Sequence, residues 1–400
     1  MKNFKLTFPR LFQVVLLLGV LAYIALSFLQ WLQPPAEETP AVMGYASNTY
    51  RAEVLEIIEE GTSEVAGQMQ PYQIASVRLL EGPYQGQRLE IDYGLRQVRP
   101  ADQALQPGEQ ILVTVSSRPE GGVSAFFTDF IRTRSLLVLL LCFVIFSILI
   151  SGWKAVRSLL GMAFSLVVIV GYIIPRILDG QDPVLVSVTG SFILLAVTLY
   201  LVYGWTLKTH AAVLGTFTAL VITGLLATYF IDYTRLSGFG SEEAMFLVQQ
   251  TGFTINMRGL LLGGLLIGAL GVLDDLVITQ ASVVFELHHA NPALRFRSLF
   301  GRAMTVGRDH VAATVNTLVL AYAGAALPML LLFSLSGQAP DILFNLEFVA
   351  DEVVRTLVGS LGLIAAVPLT TLLACAVALY HARLGWLGPL LGPEGEGHHH

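Results

Sequence analysis

Residues 258–282 read RGLLLGGLLIGALGVLDDLVITQAS, and this stretch decides what kind of molecule the chain forms. It is apolar over more than the roughly 20 residues a helix needs to cross a bilayer, yet it carries two adjacent carboxylates, Asp274 and Asp275. At 1.5 Å per residue, Asp274 lies roughly 24 Å from Arg258 and roughly 18 Å from Glu286, near mid-membrane. An ionised side chain at that depth costs at least about 2.5–3.5 kcal/mol on insertion scales and almost always faces the bundle interior. Helical geometry places Gly264, Gly268, Gly271, Asp275, Thr279 and Ser282 on one small and polar stripe, on which a neighbouring backbone is expected to pack closely. Asp274 is turned about 100° away from it.

Partners for the carboxylates are sought on the following spans. Asn316 stands about 10 Å into the next one, at matching depth if the two helices run antiparallel, and Thr314 and Thr317 add hydroxyls. The last span contributes Thr356, Ser360, Thr370 and Thr371, with Pro368 freeing a backbone carbonyl. The functional reading is a protonatable relay or cation site at Asp274 and Asp275, with Asn316 and Thr317 in support and Thr279, Thr314, Thr356 and Ser360 as further polar groups. The competing reading is that the pair only hydrogen-bonds neighbouring helices.

The rest of the chain agrees with a membrane setting. Of 400 residues 54% are hydrophobic and 13% charged, about half the charged share of soluble chains. Eight segments qualify as spans: approximately 11–33, 134–153, 155–177, 183–204, 210–231, 257–282, 310–335 and 353–382. The first lacks a small-x-small cleavage site and is read as a retained anchor rather than a cleaved signal peptide. Lys2, Lys5 and Arg10 place the N-terminus in the cytoplasm. Alternation then brings Lys154, Arg157, Lys208, Arg295, Arg297, Arg302 and Arg308 to the same side. The expected location is the bacterial inner membrane.

Residues 34–130 then lie outside. Pro34, Pro35 and Pro40 form a stiff linker, and strand-like runs follow at Tyr50–Ile58, Gln73–Leu80, Gln87–Tyr93 and Gln110–Val115, separated by Gly- and Pro-containing turns, the last at Pro119 to Gly122. They predict a small β-barrel or β-sandwich. Ser241-Glu242-Glu243 reads as a helix start, and Phe296, Leu299, Phe300 and Ala303 among arginines read as an interfacial helix. The expected organisation is therefore an anchor (1–33), an extracytoplasmic β-rich domain (34–130), a seven-helix membrane core (131–385) and a tail (386–400) ending in what resembles a tag, Gly395 to His400.

Other candidates are weaker. Asp351, Glu352 and Arg355 form a helix-start ion pair, with Glu352 and Arg355 a candidate outer gate. His288 and His289 have no nearby cysteine, Cys142 and Cys375 lie singly in apolar runs, and no metal site is expected. No basic patch suggests nucleic acid. There is no G-x-x-x-x-G-K-[ST], G-x-S-x-G or H-E-x-x-H pattern, so neither a nucleotide motor nor an enzyme is expected, and no cofactor beyond a transported proton or sodium ion.

Several motifs carry a resemblance. Phe127-Thr128-Asp129-Phe130-Ile131-Arg132, Gly271-Val272-Leu273-Asp274, the run Val315 to Gly324, Gly359-Ser360-Leu361-Gly362 and Val367-Pro368-Leu369-Thr370 resemble the YibE/F family of multi-span membrane proteins. Leu273-Asp274-Asp275 is also similar to the proton-relay motif of resistance-nodulation-division transporters, and Asn316-Thr317 with Thr356 to Ser360 to spans of SecD and SecF. That resemblance implies Asp274 and Asp275 as ion-coupling residues supported by Asn316 and Thr317; it departs at Ser282, where those families carry an acid, and in their larger outer domains. The resulting expectation is a proton- or sodium-coupled transporter or translocation factor that engages a substrate or protein partner through its outer domain, as a monomer or homo-oligomer. The alternative is a non-transporting scaffold docking a protein partner through residues 41–125.

Overall fold

The computed structural model describes residues 8–31, 49–100, 102–117, 123–251, 255–337, 339–381 and 391–393. The Pro34 to Pro40 linker, the turn at Pro119 to Gly122, Lys2, Lys5 and the tag-like ending lie outside these residues. Contacts divide the chain into two units, one of residues 33–149 and one of residues 1–32 with 150–400.

The first unit holds a five-stranded antiparallel sheet: β1 (Thr49–Val65), β2 (Gln68–Leu79), β3 (Arg88–Tyr93), β4 (Gln110–Ser117) and β5 (Val123–Phe130), in the order β3-β2-β1-β4-β5. Alternation dictates its core: Ala52, Val54, Ala75, Val77, Ile91, Ile111 and Val113 are buried on one face. Where a β-barrel or β-sandwich is expected, the described strands form one open sheet. Among the described residues its edges β3 and β5 meet through side chains, with the Tyr93 and Phe127 rings 4.9 Å apart. Buried Gln70 and Gln73 pin the loop after β3: Gln70 Nε2 donates to the Gly94 carbonyl at 2.6 Å, and Leu105 N donates to Gln73 Oε1 at 2.7 Å. Two elements were not anticipated. β5 lies outside the expected strand-like runs, and β1 runs on past Ile58 to a two-residue turn at Ala66-Gly67, where both residues have positive φ (52° and 78°). That geometry matches the twist of a tight hairpin. Helix α1 (Phe8–Trp31) precedes the sheet, and α2 (Thr133–Ser151) follows it with no residue buried.

The second unit is helical. It contains α1 and then α3 (Trp153–Val168), a single π-helical turn (Ile169–Ile173), α4 (Ile174–Leu178), α5 (Pro183–Tyr203), α6 (Leu207–Tyr233), α7 (Glu242–Thr251) and α8 (Met257–Ala290). These are followed by α9 (Phe296–Ala325), α10 (Leu327–Ser336), α11 (Pro340–Phe344) and α12 (Glu347–Tyr380). Among the described residues seven helices are long and apolar enough to cross a membrane, or eight if the bent pair α9–α10 is one span. Local chemistry sets the ends: Asp182, Thr206 and Asn256 cap α5, α6 and α8 by accepting from Leu185 N, Thr209 N and Gly259 N. The π turn precedes Pro175, which has no N–H to offer the Gly171 carbonyl.

Two expectations are corrected in this unit. The interfacial helix and the seventh span are one helix, α9, because nothing between Ala303 and Val311 breaks it. The span expected to continue to residue 335 instead bends by 64° at Ala326, where Pro328 lies in the first turn of α10.

The core of the helical unit gathers α5, α6, α8 and α12 around Leu195, Ala219, Leu273, Val277, Leu363 and Ala374. Glycine sets the closest approaches. A Cβ on Gly215 would stand 2.5 Å from Thr370 Oγ1, one on Gly362 would strike Thr223 Oγ1, and one on Gly307 would stand 2.6 Å from Val367. Buried Gln280 ties three helices, donating to the Ala303 carbonyl at 3.0 Å and to Thr371 Oγ1 at 2.7 Å.

Candidate functional site

Asp274 and Asp275 lie in the middle of α8 on the wall of a cavity of about 480 Å3 bounded by α3, α5, α8 and the π turn. Glycine and short polar residues make the space. Gly161, Ser158 and Ser165 face it from α3, Thr198 and Tyr203 from α5, and Gly271 from α8; Ile169, Leu194, Leu199, Val202, Ile267 and Leu270 supply apolar walls. Among the described residues no lysine, arginine or histidine lines it.

The carboxylates are poorly served by the protein. Thr198 Oγ1 is 3.5 Å from Asp274 Oδ2, at the limit of a hydrogen bond. The same hydroxyl donates to the Leu194 carbonyl at 2.6 Å, and one hydroxyl proton serves one strong bond. Asp274 Oδ1 is buried without a partner. Asp275, one position on, is exposed. Ser165 Oγ is turned back to the Gly161 carbonyl at 3.0 Å. A buried acceptor lacking donors costs about 1–3 kcal/mol, more when charged, so Asp274 is an unbalanced feature of the fold.

The other sequence-derived candidates lie elsewhere. Asn316 and Thr317 sit on the exposed side of α9 and do not line the cavity, and Thr317 Oγ1 donates within its own helix to Ala313 O at 2.9 Å. Thr314 likewise bonds to His310 O at 2.8 Å. Ser360 bonds to Thr356 O at 2.8 Å, while Thr356 and Thr279 are half-buried and also outside the cavity. Glu352 and Arg355 form an ion pair at 3.2 Å, and Arg355 lines a narrow cleft with Gly268, Tyr322 and Gly359. Asp351, expected at an exposed helix start, is instead 9% exposed with Oδ1 unpartnered.

The α8 stripe also differs from expectation. Gly264, Gly268, Gly271 and Asp275 are exposed; a Cβ on Gly264 or Gly271 would meet nothing within 4 Å, and one on Gly268 only the Tyr322 hydroxyl. Thr198, Tyr203, Ser158 and Ser165 went unrecognised because single hydroxyls in apolar runs usually bond to their own helix. Their placement depends on which helices flank α8, information no local pattern carries. Among the described residues no group of histidine, cysteine and acid side chains could hold a metal ion.

The family model described as YibE/F-like protein matches residues 139–379, which include every residue lining the cavity. No curated protein and no solved structure matches the chain, so the similarity of Leu273-Asp274-Asp275 to transporter relay motifs rests on those short motifs alone. With well over half of its 400 residues matched, the chain belongs to the YibE/F-like family.

Proposed function

We propose that the chain is a gradient-coupled membrane transporter or translocation factor in which Asp274 and Asp275 take up and release a proton or sodium ion. The observation that carries this reading is the pairing of two mid-span carboxylates with a cavity that holds hydroxyls but no basic group. A charge in such surroundings must be neutralised, and among the described lining residues no cation is present to do so. A proton or cation reaching the cavity supplies the missing charge, and its departure restores the imbalance; such an exchange can drive a conformational cycle. The charge pattern supports placement in the bacterial inner membrane with the N-terminus inside.

The test is reconstitution of the full-length protein into liposomes with an internal pH-sensitive or sodium-sensitive dye. Replacing both residues (Asp274→Asn with Asp275→Asn) is expected to lower gradient-driven flux at least tenfold. Undiminished flux in the double variant overturns the proposal.

A second reading, a scaffold that docks a protein partner, is favoured by one feature of the sheet. β4 pairs only with Thr49–Glu53 of β1, so among the described residues the outer edge of β1 from Leu55 to Val65 has no strand beside it. Such an edge is open to strand addition. Exposed Glu56, Glu59, Glu60 and Glu64 favour a basic partner. Under this reading the aspartate replacements leave partner binding unchanged.

A further inference from the structure

We infer that the cavity between α3, α5 and α8 also holds the transported substrate, and that this substrate is a small amphipathic organic cation. The inference rests on the ion-coupled reading above and adds the chemical class of the cargo.

Size is the first argument. About 480 Å3 falls within the range of about 300–1,000 Å3 typical of small-molecule sites. A proton needs no volume, and a water occupies only about 30 Å3. An ion-binding role alone leaves most of the space unexplained.

Charge is the second. Among the described residues the lining holds two carboxylates and no basic side chain, so an anionic ligand meets repulsion with no compensating group. A ligand's positive group meets its counter-charge in the carboxylates of Asp274 and Asp275, which line the space.

The wall chemistry is the third. A compact inorganic cation uses only the oxygen-bearing part of such a lining. Here oxygen comes from one part of the lining, while Ile169, Leu194, Leu199 and Val202 present hydrocarbon. A lipophilic cation uses both: its apolar body covers those walls and its charge meets the carboxylates. The ring of Tyr203 adds a face suited to a cation.

The experiment uses the intact protein in nanodiscs and an isosteric pair of probes, tetraphenylphosphonium and tetraphenylborate, with binding measured by equilibrium dialysis. The expected result is a saturable tetraphenylphosphonium site whose affinity falls at least tenfold in the Asp274→Asn with Asp275→Asn variant, and no saturable tetraphenylborate site. A second variant, Gly271→Leu, guards against misfolding of the first. A Cβ there meets nothing within 4 Å, so the added side chain fills the cavity and is expected to weaken tetraphenylphosphonium binding with both acids intact.

Equal binding of the two probes, or tetraphenylphosphonium binding indifferent to both variants, overturns the inference. Absence of tetraphenylphosphonium binding in a protein whose ion flux still depends on the aspartates overturns the substrate class and leaves the coupling reading standing. Loss of that dependence overturns both.

Discussion

The α6–α12 seam and the α3–α5–α8 cavity are built from the same residue types, glycine and small hydroxylated side chains in otherwise apolar helices. In the seam each glycine meets a side chain: Gly215 faces Thr370, and Gly362 faces Thr223. In the cavity Gly271 faces open space, and Gly161 has Val202 no closer than 3.6 Å from its would-be Cβ. Small residues thus do two opposite things here. They let backbones close together, or they leave room for something else. The difference is decided by the neighbouring helix rather than by the glycine.

Substitutions can break or sharpen that contrast. The largest effect is expected at Gly362→Ala, where the new methyl collides with Thr223; overpacking of this kind costs about 1–3 kcal/mol. Thermal unfolding of the purified protein is expected to shift down, and Thr223→Ala is expected to recover most of the loss in the double variant. No shift in the single variant would show that the seam yields. Next comes Gln280→Ala, which removes donors to Ala303 and Thr371 at the junction of α8, α9 and α12. Losing these two buried hydrogen bonds costs about 1–3 kcal/mol, read by the same melt, with ion flux per folded molecule retained. The smallest effect belongs to the cavity and stripe side. Gly264→Ala and Gly271→Ala are expected to leave the melt unchanged or raise it by up to about 1 kcal/mol, because alanine favours the helix and no atom stands in the way. A marked loss at either would mean that a further element covers that face.

Much of this was legible in the sequence, and the failures have physical causes. Span positions follow from length and hydropathy: the expected 183–204 and 257–282 correspond to α5 (Pro183–Tyr203) and α8 (Met257–Ala290). Four of five strands follow from alternation. The hairpin extension was missed because its outer half carries glutamates on both faces, which hides the period of two. The bend at Ala326 was missed although Pro328 signals it, since hydropathy alone runs on. For the site, the two aspartates stand out by their cost in hydrocarbon, but their neighbours do not. Depth matching selected Asn316, whereas the fold sets α3 and α5 against α8 at that level, and depth along an axis says nothing about bearing around it.

The π turn at Ile169–Ile173 acts as a spacer in the wall of the cavity. It takes up one residue more than an α turn, and Ile169 itself lines the space. Deleting a single residue there would keep the segment just as apolar and nearly as long. Because the wide turn absorbs that residue, its removal closes the π turn to an α turn and leaves Ser158 and Ser165 facing as before, while the widening beside the cavity is lost. The extra residue therefore sets the width of the wall at Ile169 rather than the bearing of α3.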